Sequence, residues 1–271
     1  MSDPDPFAAA RRQLEADVAA HATVRATKRY QEAQTHLRRL LTDFALTLQL
    51  STIAFSRYPD ARKWIQQANV DDLLETVVAI PLLVEQGIFN TARRELRYLL
   101  ESLVKFVYVD QQLPGETPLQ DRVAFLADQV PRSSIDPIDQ LSLRLLSDPD
   151  AFRSAVRQAF GALSGYVHPS RTQIEERLRR AARGEFSGFE GPKVVEVFTR
   201  LASQTLDLAV VLICEGIGPN FTGDLYVQLF DDYPRWNFHR TKFAAQISAH
   251  FDYKLERQPA ERGDTADTLR D

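Results

Sequence analysis

Residues 7 to 57 contain neither glycine nor proline, and no other stretch constrains the fold so strongly. From Tyr30 onward the apolar positions are Tyr30, Ala33, Leu37, Leu40, Leu41, Phe44, Leu48 and Phe55. Steps of three and four place them on one side of a helix. Before Tyr30 the pattern thins to Leu14, Val18 and Ala22 among alanines and arginines. An unbroken helix over the whole stretch would be roughly 75 Å long, more than a compact domain can cover. Either it breaks near residue 25, or its first half projects and finds a partner. The second alternative leads to an expected homodimer, or to a partner helix on this N-terminal arm.

Helical signals continue down the chain. Tyr58-Pro59 closes the first region. Asp71 and Asp72 suit the positive start of a helix that runs through Leu73, Leu74, Val77, Val78 and Leu82 to Gly87. Pro81 is expected to kink it or to begin a new segment. Asn90 is the expected cap of the next helix, which reaches about Gln111. Loops at Pro114-Gly115 and at 131 to 137 bracket a short helix around Val123 to Ala127. In Asp148-Pro149-Asp150 an N-cap acid precedes a proline at the first helical position. A helix over Thr172 to Arg183 and a turn from Gly184 to Gly191 follow. Pro192 to Glu215 reads as a long helix with Val194, Val197, Leu201, Leu208, Val211 and Leu212 inward, stopped by Gly216 and Gly218-Pro219. The aromatic-rich residues 222 to 253 read as two short covering helices, and the polar tail beyond Glu256 as disordered.

No set of alternating runs joined by hairpin turns interrupts this pattern. The expected fold is therefore all-α: a multi-helix bundle with a long N-terminal helix or helix pair and short C-terminal helices. The expected division is an N-terminal helical region 1–69, a core 70–217, a C-terminal cover 218–255 and a tail 256–271.

The function classes narrow by elimination. A formal net charge of −4 gives no global pull toward nucleic acid, so any such contact needs a local basic patch. The single cysteine, Cys214, rules out an intramolecular disulfide and zinc sites built from several cysteines; its apolar surroundings predict a buried, inert thiol. The N-terminus lacks the basic and apolar regions of a signal peptide, and no apolar run approaches the ~20 residues of a spanning helix. A cytoplasmic protein with no membrane contact is expected. Glycine-rich phosphate loops, His-Glu-x-x-His and a serine elbow are missing. His21, His36, His239 and His250 form no readable metal set, so neither a metal nor another cofactor is expected.

Two helices could make a site. With Leu96 set at zero and about 100° per residue, Leu99, Leu100, Leu103, Val104, Phe106 and Val107 fall within about 80° of it. Arg93 lands at about 60°, facing the core, while Arg97 and Glu101 follow along one edge of the stripe. An inward arginine must meet an acid, a cluster of carbonyls or a bound anion. Arg97, Glu101 and Lys105 also form successive i,i+4 charge pairs, which is a purely structural alternative. The second helix, from Asp148, carries Phe152, Val156, Ala159, Phe160, Leu163 and Val167, and His168-Pro169 should end it. His168 reads either as a C-capping residue or as a general acid/base and phosphate contact. Beyond it, Arg171, Arg177, Arg179, Arg180 and Arg183 against Glu175 and Glu176 make residues 171 to 183 net +3, either a solvated face or a track for a nucleic-acid backbone.

The pairing of Arg97-Tyr-Leu-Leu-Glu101 with Leu163-Ser-Gly-Tyr-Val-His-Pro-Ser170 resembles uncharacterised bacterial relatives of the HEPN superfamily. The resemblance covers roughly residues 70 to 215. It implies a four- or five-helix core, dimerisation and, in active members, metal-independent ribonuclease activity in toxin–antitoxin, abortive-infection or CRISPR-linked defence. On that basis His168, Arg97 and Glu101 are the expected catalytic residues, and Arg93, Arg94, Tyr166, Ser170 and Arg171 the expected substrate contacts. The sequence departs from the nuclease pattern in one respect. Active members carry an arginine four to six residues before the histidine on the same helix. Here the nearest upstream arginines are Arg157 and Arg153, the former about 16 Å away along a helix. Two readings stay open: an RNA-directed defence protein with a degenerate nuclease site, and a non-catalytic module that binds a protein or an anionic ligand.

Overall fold

The computed structural model describes residues 6–167, 170–182, 188 and 190–251. Among them lie ten α-helices and no strands, so the protein is all-α. The helices are α1 (Pro6–Ala26), α2 (Lys28–Phe55), α3 (Ile65–Ala68), α4 (Val70–Glu85), α5 (Phe89–Gln112), α6 (Leu119–Gln129), α7 (Pro149–Ser164), α8 (Arg171–Ala181), α9 (Pro192–Asp232) and α10 (Ala244–His250). One buried apolar cluster runs from Tyr30 to Phe251.

The long N-terminal stretch is two helices. Thr27 leaves helical geometry with ψ 142°, and its hydroxyl accepts from the Tyr30 amide to cap α2. All eight apolar positions predicted for α2 are buried. α1 is different: Leu14 and Val18 are exposed, and it meets the body near its root, where Arg25 Nη2 donates to the Glu85 carbonyl at 2.7 Å.

Three helices run parallel through the centre. The starts of α2 and α9 are joined by Arg29 and Glu196, and the starts of α5 and α9 by the rings of Phe89 and Phe198, 5.8 Å apart. At the far end Phe55 packs on Phe221 at 5.3 Å. α4 and α7 run antiparallel to α5. Tyr98 in α5 donates to Asp72 near the start of α4, and Gln111 near the end of α5 holds Ser142 just before α7.

Several local expectations need correction. Asn90 does not cap α5; the cap position is Ile88 and Asn90 lies within the first turn, its side chain accepting from Arg93. Pro81 does not begin a new segment: it lies inside α4, which continues one turn beyond it to Glu85. Gly218-Pro219 does interrupt α9 as expected, whereas Gly216 does not. Gly218 adopts φ 79°, which favours glycine, and the helix resumes from Pro219. Val197, expected inward, is exposed. α9 is also, against expectation, long and apolar enough by length and composition to cross a membrane; 72% of its most apolar window is buried in the bundle core. α7 ends at Ser164, a few residues before the expected stop.

Candidate functional site

The corner after α7 is built by arginines of α5. Because α7 runs antiparallel to α5, its carbonyl end arrives beside Arg93, Arg94 and Arg97. Arg94 Nε donates to the Tyr166 carbonyl at 2.7 Å, and Arg97 Nε donates to the Ser164 hydroxyl at 3.1 Å. The Arg93 guanidinium lies 4.2 Å from the Tyr166 ring centroid and that of Arg97 4.4 Å from the Phe160 ring centroid. Cations at a helix C-terminus are favoured by its partial negative charge, and their planar faces pack on aromatic rings.

Acids complete this network. Arg93, only 5% exposed, bonds Asn90 and pairs with Glu176 at 3.5 Å, and the Tyr166 hydroxyl donates to the same carboxylate at 2.8 Å. Burial pushes the Tyr166 phenol above its ordinary range, and the bond to Glu176 adds to this against the opposing charge of Arg93. Glu101 takes Arg97 at 3.3 Å and Lys105 at 2.5 Å, so the predicted i,i+4 ladder is present. Ser170 donates to the Gly165 carbonyl at 2.6 Å and accepts from the Gln173 amide, capping α8. Six of the expected site residues, Arg93, Arg94, Arg97, Glu101, Tyr166 and Ser170, therefore meet around one corner. Arg171 does not join them: its side chain is 92% exposed and pairs with Glu175 on the outer face of α8. His168 lies outside the described residues.

The open concavity lies beside this corner. A cleft of about 670 Å³ separates the turn at Gln86–Asn90 from α8, and Arg94, Gln173, Arg177 and Arg180 line it. Among the described residues no side chain caps the first turn of α5, which faces this cleft. A second cleft of about 570 Å³ lies between α8 and the start of α9, lined by Arg93, Arg179, Arg180 and Lys193, again with no side-chain cap on the helix. Glu176 borders both clefts, and Glu190 tempers the charge further by pairing with Arg180. Gly87, at φ 73°, lets the turn pass under the Glu190 segment, where a Cβ would lie 2.5 Å from Gly188 Cα.

At the opposite end, the carbonyl ends of α2, α5 and the first segment of α9 converge on two buried carboxylates. Asp110 accepts from the Ile65 and Gln66 amides at 3.0 and 3.1 Å and from Arg122 Nη1 at 3.1 Å. Arg122 is fully buried and also donates to the carbonyls of Pro114, Gly115 and Thr117. Burial pushes the Asp110 carboxyl up to about 6 against these donors. Glu215 accepts from the amides of Arg144 and Leu145, and burial raises it too. Tyr58, Trp64 and Phe221 line a cleft of about 400 Å³ above them. Spacing alone does not point to this pair, although Arg122 falls on the same helix face as Leu119 and Leu126 and so carries the signature of a buried charge.

Among the described residues no group of His, Cys, Asp and Glu could hold a metal ion. Cys214 is buried, and burial raises its thiol far above the ordinary range. No protein-family model matches the chain, and no curated protein or solved structure matches it.

Proposed function

We propose that this protein binds a phosphate-bearing ligand, RNA in particular, across α8 at the amide end of the bundle. The observation that carries the reading is the two clefts flanking α8. Each pairs an uncapped helix start with guanidinium groups, and Arg180 borders both. Amide dipoles and arginines together attract phosphate oxygens. Arg93 Nε and Arg180 Nε are buried donors with no acceptor among the described residues, which leaves capacity for one. An extended polyanion suits two clefts on either side of one basic helix better than a single small ion does.

This reading fits an RNA-directed HEPN-like defence or toxin protein in which the corner of α7 supports the binding surface. Arg97, expected in catalysis, and Arg93 and Arg94, expected as substrate contacts, are engaged with the carbonyl end of α7, with Phe160 and Tyr166, and with Glu101 and Glu176. Binding of labelled single-stranded RNA over a salt series tests the proposal. Affinity should fall steeply with salt, and Arg177→Glu with Arg179→Glu should abolish most of it. No binding at low salt, or binding indifferent to these charges, would sink the reading. Competition by mononucleotides at equal phosphate concentration would reassign the site to a small ligand.

A further inference from the structure

We propose that the cleft at the carbonyl end of the bundle binds an organic cation, a protonated alkylamine. The site is separate from the phosphate-binding clefts at the opposite end and does not depend on them. Phe55 is the centre of its wall. Tyr58, Trp64 and Phe221 each pack against that ring, with centroids 5.9, 5.5 and 5.3 Å away. Tyr58 is 36% exposed. Four aromatic rings beside a cleft of about 400 Å³ supply apolar surface for an alkyl chain and ring faces for a positive charge. One of these rings already takes a cation from the protein itself: the Arg122 guanidinium lies 5.0 Å from the Trp64 centroid. Arg122 does not line the cleft, so its place and that of a ligand are distinct.

Local charge selects the sign of the ligand. The last turns of α2, α5 and the first segment of α9 reach the cleft through Phe55, Gln111 and Ile217, and helix carbonyl ends favour a cation. Arg122 neutralises Asp110, but among the described residues no ion pair reaches Glu215, which is 7% exposed. The amides of Arg144 and Leu145 hold the Glu215 carboxylate in place without cancelling its charge. The Arg144 side chain, also at the cleft, is exposed and donates to the Ser142 hydroxyl at 3.2 Å. Gln66 adds an observation independent of the acids. It is 3% exposed, and its Nε2 donates to the Ile213 carbonyl at 3.4 Å, while its Oε1 accepts from no group among the described residues. That oxygen occupies the place a Cβ on Gly216 would take, and Gly216 lines the cleft. A buried acceptor without a donor, near a carboxylate without a counter-ion, calls for a donor that carries positive charge. An ammonium group supplies both.

Calorimetric titration of the full chain with n-butylammonium, at constant ionic strength, should show saturable binding. The neutral 1-butanol and the anionic butyrate should each bind at least about tenfold more weakly. The chain has two tryptophans, and Trp236 is buried with its indole on the Thr47 hydroxyl, outside the cleft. In nuclear magnetic resonance spectra the amine should therefore shift the indole N–H signal of Trp64 and leave that of Trp236. Tyr58→Ala should weaken the amine about tenfold, and Tyr58→Phe should restore it. Glu215→Gln should lower amine affinity at least about tenfold without changing that of butanol, in protein whose circular dichroism matches wild type. If that variant does not fold, the Tyr58 pair decides. Butanol binding as tightly as the amine would leave only an apolar cleft, and butyrate binding more tightly would make Arg144 the centre of an anion site. Either result overturns the proposal, as does a lack of saturable amine binding or an affinity that Tyr58→Ala leaves unchanged.

Discussion

At the carbonyl end of α2, α5 and the first segment of α9, the helix dipoles meet Asp110 and Glu215, whose oxygens are taken by backbone amides and Arg122. At the amide end of the same three helices, Arg94, Arg177, Arg179, Arg180 and Lys193 border clefts beside helix starts that no side chain caps. The two ends treat their charged side chains differently. One binds its charges to its own backbone and becomes a structural lock. The other lines its clefts with arginines and Lys193, offset in part by Glu176 and Glu190. A buried charged group indicates function only when its bonds are not already filled from within.

The sharpest way to break the comparison is Arg122→Ala. It leaves Asp110 buried beside an empty space and should lower unfolding free energy by about 3–5 kcal/mol, measured by denaturant titration. The same substitution should leave RNA affinity of the remaining folded protein unchanged; a loss of affinity at equal folded fraction would join the two ends functionally. The reciprocal experiment, Arg177→Glu with Arg179→Glu, should cost at least about 2 kcal/mol of RNA binding while moving stability by less than about 0.5 kcal/mol.

Gly87→Ala should destabilise by about 1–3 kcal/mol, read from thermal melts, since it combines a left-handed φ with a collision against Gly188. Proton linkage separates the ends in another way. The Asp110 carboxyl titrates near 6 when folded and near 3.8 when unfolded, so the folded state holds the proton more tightly. Its contribution to stability is full below the unfolded value and is lost as pH rises through about 6. A carbon-13 titration of this carboxyl should give a midpoint near 6 rather than near 4. The smallest expected effect is that of His168→Ala on RNA integrity after expression: none relative to wild type. RNA loss with wild type that disappears in the variant would restore a catalytic reading of the α7 corner.

Much of the fold was legible because helices announce themselves through spacing. The apolar positions of α2 and the buried face of α5 follow directly from steps of three and four, and Asp148 caps α7 as its residue type dictates. Arg93 was legible as inward, and Arg97 with Glu101 as an edge pair, for the same reason. What spacing could not convey was which helices run side by side. The lock between Asp110 and Arg122 joins different helices, and the clefts beside α8 depend on α5 and α9 starting at the same end of the molecule. Caps were less legible than faces: Asn90 suits a cap by type, but the turn at Gly87 starts the helix earlier and turns that amide toward Arg93 instead.

The break at Gly218 can be viewed as a choice of where a field terminates. Had α9 continued unbroken to Asp232, its negative pole would lie roughly 21 Å farther on, away from the ends of α2 and α5. One glycine with φ 79° divides the longest helix into two shorter dipoles in series. The first then ends in line with its parallel neighbours. The amide ends of α2, α5 and α9 then gather at one end of the molecule and the carbonyl ends of α2, α5 and the first segment of α9 at the other, with the antiparallel α4 and α7 opposing them.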